Sequence, residues 1–104
     1  LRMAIHPMRV AVSEENPDAL FCDGGFDDAI IGTAERFGFP APVAAYDYDK
    51  FIRLIRRGGV ESDEEAVEYF QFNVIGAWVG DNTPVFIRRL SSPKPKTKSK
   101  KSSS

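Results

Sequence analysis

The side chains able to do chemistry are few in this chain, and they lie far apart. His6 is its one histidine and Cys22 its one cysteine. Acid–base work by an imidazole, or a Cys/His metal centre, needs partner groups at suitable spacing, and the sequence supplies none around His6. Beside Pro7 it reads as a surface residue of an arm. Cys22 has no identifiable base to make it a thiolate, so it reads as a buried or half-buried structural thiol. Asp23, Asp27 and Asp28 surround Gly24-Gly25-Phe26. That concentration of acids could attract a divalent cation, yet it lacks the alternate-position acids and closing glutamate of an EF-hand loop. Turn chemistry is the simpler reading. Gly24-Gly25 and Gly58-Gly59 lack the spacing of phosphate-cradling loops and also read as turns. The expectation is of a protein that is not an enzyme and holds no cofactor.

Two basic features could contact a polyanion. Lys50, Arg53, Arg56 and Arg57 fall on one side of a helix, with Arg88-Arg89 in a later strand. Lys94, Lys96, Lys98, Lys100 and Lys101 are spaced by serine, threonine and proline, a pattern that binds nucleic acid without sequence specificity by releasing counterions. Those five lysines are part of a total of 14 basic residues, so residues 1–90 keep nine against all 15 acids. The body is thus −6 and the tail +5, which weakens long-range attraction of the body to nucleic acid. A solvated helix face is the plainer reading of the first feature. The tail could equally hold nucleic acid, fold over the acidic body or aid solubility.

A third candidate is apolar. Phe72 and Trp78, with Asn73 between Phe72 and Val74, sit where Phe70, Phe72, Val74, Ile75, Trp78 and Val79 spread round a helix rather than along one face. Such an end is either wrapped by the rest of the fold or turned toward a protein partner. Asn73 could select a ligand beside Trp78, or bond its own helix backbone.

The elements that must position these residues follow from composition and period. At 104 residues, with 42% hydrophobic and 12% aromatic residues, the chain is expected to fold as one domain without a disulfide. A single cysteine favours a reducing compartment, and cytoplasmic location is expected. The longest apolar stretch, Val74 to Val79, is far too short to span a bilayer, so no membrane partner is expected. Arg2, His6, Pro7 and Arg9 interrupt any signal-peptide core.

Residues 1–15 lack a clean period and read as an irregular arm. Asn16-Pro17 reads as the start of a brief helix that Asp23-Gly24-Gly25 ends. Ala29 to Phe37 and Val43 to Tyr46 read as a hairpin joined by Gly38-Phe39-Pro40-Ala41-Pro42. A helix capped by Asp47 or Asp49 follows, burying Phe51, Ile52, Leu54 and Ile55 and ending at Gly58-Gly59. Ser62-Asp63-Glu64-Glu65 is a capping box for a second helix reaching Val79, with Ala66, Val67, Phe70, Val74 and Ala77 inward. Val85 to Leu90 is the last strand. The expected fold is α+β, order (α)ββααβ, a small mostly antiparallel sheet packed on two consecutive helices. Residues 16–90 form the domain, and residues 91–104 form a disordered Lys/Ser/Pro tail.

Asp23-Gly24-Gly25-Phe26-Asp27-Asp28-Ala29-Ile30-Ile31-Gly32, Tyr46-Asp47, Glu64 to Phe70, Phe72 to Gly80 and Thr83-Pro84 give the chain a resemblance. Residues 22–86 resemble a short, uncharacterised type of protein carried by tailed phages and bacterial genomes. Such proteins usually show one glycine where this chain has Gly24-Gly25. The resemblance implies a phage or bacterial setting, with the host cytoplasm as location if phage-encoded, and brings no activity. The leading expectation is a non-enzymatic interaction or regulatory accessory protein with a protein partner or self-association. The alternatives are a weak nucleic-acid binder and, last, a small enzyme with an unrecognised acidic site.

Overall fold

The computed structural model describes residues 5–75 and 80–91. The expected irregular arm is a helix, α1 (Pro7–Glu15). His6 caps it, its Nδ1 accepting the Met8 N–H at 3.1 Å, and Pro7 occupies the first helical position, where no donor is lost. The proline signal read at Asn16-Pro17 belongs here instead. A residue before proline is pushed out of the helical region, so Asn16 ends α1 in extended backbone rather than starting a helix. Buried Asn16 then ties two distant loops, its Nδ2 donating to the Pro42 carbonyl at 2.7 Å and to Asn82 Oδ1 at 3.0 Å. Asp23-Gly24-Gly25 does not stop a helix. It opens a 3₁₀ helix, Gly24–Ala29.

The hairpin forms as expected from β1 (Ile30–Ala34) and β2 (Val43–Asp47), paired antiparallel. Ile30 faces Tyr46 but Gly32 faces Ala45, so Ile31 is an extra residue that bulges β1. All five residues of β2 are buried, as a middle strand covered on both faces must be. Asp47 then caps α2 (Tyr48–Arg57), its Oδ1 accepting from the N–H groups of Asp49 and Lys50. Phe51, Ile52 and Ile55 point inward, and the helix closes at Gly58 with Gly59 at φ +117°, a conformation costly for any residue with a Cβ.

Ser62 caps α3 (Asp63–Asn73) through the Glu65 N–H at 3.1 Å. The reciprocal half of the capping box is shifted by one residue, because Glu65 Oε1 accepts from the Glu61 N–H and not from Ser62. Ala66, Phe70 and Val74 are buried, and Val67 is half-buried. α3 stops at Asn73 with Val74 as its C-cap, short of the expected end at Val79, and residues 76–79 lie outside the described residues. β3 (Val85–Ile87) is shorter than expected and pairs with β2 in parallel, giving the order β1-β2-β3. The sheet is therefore mixed within an α+β fold. Two helices separate β2 from β3, and a long crossover is what allows a parallel pairing.

The core is aromatic. Phe51, fully buried, stacks on Phe26 with centroids 4.1 Å apart and meets Tyr46, Phe70 and Phe86 edge-on at 5.5, 5.7 and 5.1 Å. Phe86 also meets Phe70 at 4.9 Å, so β3 closes the cluster that α2 and α3 begin. Among the described residues no helix is long and apolar enough to cross a membrane.

Candidate functional site

The groups that could do chemistry are tied to one another around α1 and the 3₁₀ helix. Arg9 Nε donates to both oxygens of Asp27, at 2.8 and 2.9 Å, and its Nη2 donates to the Cys22 carbonyl at 2.6 Å. The guanidinium also lies over the Phe21 ring, 4.7 Å from its centroid. His6, expected as a surface residue of an arm, is tied into the fold, its Nε2 bonding Asp28 Oδ1 at 2.9 Å while Nδ1 caps α1. Asp27 and Asp28 thus spend their carboxylates on pinning α1. No group of three His, Cys, Asp or Glu side chains among the described residues is arranged to hold a metal ion.

Cys22 is buried, and its N–H donates to the Tyr46 hydroxyl at 2.9 Å. Burial pushes its thiol from 9.0 up to about 11, so it stays protonated and poorly nucleophilic near neutral pH. Burial also pushes the Tyr46 phenol upward. Both groups hold their proton more tightly folded than unfolded. The contribution of Cys22 is therefore complete below about pH 9 and is lost as pH rises toward 11, while that of Tyr46 begins to fall only above about pH 10. Stability in urea should fall by about 1.4 kcal/mol per pH unit from Cys22 in that window. Cys22→Ala should flatten the fall, and an unchanged slope in that variant would place the titration elsewhere.

The basic helix face is only partly free. Arg56 is held by the Val60 carbonyl at 3.2 Å and by Asp63 Oδ1 at 2.6 Å, which bridges α2 to the start of α3. Arg53 and Arg57 are exposed and Lys50 is half-buried, without an ion-pair partner among the described residues. Arg88 lies over the Tyr48 ring at 4.9 Å, and Arg89 pairs with Asp47 at 3.1 Å, so these two turn back onto the body. Lys94, Lys96, Lys98, Lys100 and Lys101 lie outside the described residues.

The apolar candidate is the most open. Phe72 is 77% exposed although it belongs to a helix, and Tyr69 and Ile75 are exposed beside it. Together with half-buried Val67 it forms a shallow, mainly apolar groove along α3, rimmed by Asp63, Glu64, Glu68 and Gln71. Exposed Asn73 bonds back to the Tyr69 carbonyl at 3.3 Å, the self-satisfying arrangement, and Trp78 lies outside the described residues. Phe37, read as a strand residue, instead stands fully exposed in the β1–β2 connection, where Arg36 stacks on Phe39 at 3.8 Å. Two aromatics bracketing Gly38, just before Pro40, were the available sign that the strand ends early. The chain matches no protein-family model, no curated protein and no solved structure.

Proposed function

We propose that this protein is a non-enzymatic interaction module, an accessory protein of a phage or bacterial cytoplasm, whose contact surface is the outer face of α3. The observation that carries this reading is Phe72, a large aromatic left 77% exposed above an apolar groove with an acidic rim. A single exposed ring such as Phe37 needs no explanation, but Phe72 stands with exposed Tyr69 and Ile75 inside a polar rim, the arrangement of an aromatic anchor at the centre of a protein contact. The nucleic-acid reading draws less support, because Arg56, Arg88 and Arg89 are engaged within the body.

Phe72→Ser separates a contact residue from a structural one. Its thermal midpoint should match that of the unaltered protein within about 2 °C, since little apolar area is lost from the interior. Affinity capture from nuclease-treated lysate should lose its protein partners in the variant. A capture profile indifferent to Phe72→Ser would sink the α3 surface, and capture that disappears on nuclease treatment alone would favour nucleic acid.

A further inference from the structure

The groove on α3 needs a partner with cations around an apolar or stacking centre, and this chain carries such a surface on the neighbouring helix. α2 turns Lys50, Arg53 and Arg57 away from the buried Phe51, Ile52 and Ile55. α3 turns Glu64, Glu68 and Phe72 away from the buried Ala66 and Phe70. The two helices are consecutive, pack on each other and are joined by the Arg56–Asp63 pair, so the cationic and acidic faces are adjacent. None of Lys50, Arg53, Arg57, Glu64 and Glu68 has an ion-pair partner among the described residues.

Resting on the interaction reading above, we propose that the occupant of the α3 groove is α2 of a second copy of this chain, in a twofold dimer. A twofold axis lets one surface complement itself, because α2 of each copy lies over α3 of the other and the charge match occurs twice. The helices are 10 and 11 residues long, about 15 and 16.5 Å, so neither overhangs the other by more than a fraction of a turn. Phe72 then sits beneath Arg53 and Arg57, whose aliphatic stems cover apolar surface and whose guanidinium planes stack on aromatic faces. The same pairing recurs within the body at Arg9–Phe21, Arg36–Phe39 and Arg88–Tyr48.

Sedimentation velocity of the full chain over a concentration series tests this directly. A reversible monomer–dimer equilibrium that weakens with added salt is expected. The double variants R53E/R57E and E64R/E68R should each raise the dimer dissociation constant by about tenfold or more. Mixing the two should restore dimers, because the heterodimer regains attraction at both contacts, and that recovery also shows both variants to be folded. Placing all four changes in one chain should restore the homodimer. A chain that stays monomeric throughout, or dimers that persist in both double variants, or no recovery on mixing, would overturn the proposal. A monomeric chain that still captures a protein through Phe72 would overturn the dimer while keeping the interaction reading.

Discussion

Phe51→Ala should cost about 3–5 kcal/mol in chemical denaturation, enough to unfold much of a domain whose whole stability is of order 5–15 kcal/mol. The magnitude follows from position. Phe51 is fully buried and touches rings from four other places in the chain, at Phe26, Tyr46, Phe70 and Phe86. Truncation removes one apolar side chain and opens a hole that the 3₁₀ helix, β2, α3 and β3 all line. These elements are held by one another and cannot all collapse inward, so relaxation recovers little. Phe51→Leu should lose clearly less, because it keeps part of the volume. A loss below about 1 kcal/mol for the alanine variant would show that the aromatic cluster is not the organising core.

Asp27→Ala carries the second largest expected loss, about 2–3 kcal/mol. Asp27 is nearly buried and accepts two bonds from Arg9, so removing it leaves a half-buried guanidinium without its carboxylate. Arg9 keeps the Cys22 carbonyl and the Phe21 ring, which limits the damage. The double variant R9M/D27L should recover much of the loss, since apolar side chains of similar volume need no partner there. A double-mutant cycle measures the coupling, and strictly additive losses would deny that the pair acts as a unit. Because Arg9 lies on α1, protease sensitivity of residues 7–15 should rise in Asp27→Ala before the global midpoint is reached.

What the sequence revealed was the part of the fold written locally. Asp47 and Gly58-Gly59 bound α2, Ser62 and Glu65 mark the start of α3, and β-branched Ile30, Ile31 and Thr33 followed by Gly38-Phe39-Pro40 announce the hairpin. Each signal acts within a few residues of the structure it specifies. The helix at Pro7–Glu15 escaped because Met8, Val10, Ala11 and Val12 show no clean helical period and its cap is a histidine, outside the usual serine, threonine, aspartate and asparagine set. Its attachment escaped for another reason. Arg9 and Asp27 are 18 residues apart and His6 and Asp28 are 22, and nothing in either segment names its partner. The parallel pairing of β3 depends likewise on where two helices deliver the chain. At the surface, Phe72 was visible as an apolar residue off the core stripe of α3, whereas Asn73 bonds its own helix and Phe37 was hidden by extending β1 three residues too far.

Among the described residues the three-stranded sheet has two unpaired rims, and each could template a strand from a neighbouring chain. On one rim the bulge at Ile31 interrupts the row of N–H and C=O groups and bends it. The other offers three residues before Arg88 and Arg89, cations that a stacked strand would have to desolvate or displace from Tyr48 and Asp47. Neither rim provides the long, flat, uncharged run from which cross-β fibrils grow. Exposed apolar residues such as Phe72 can therefore meet other surfaces without these rims being recruited into them.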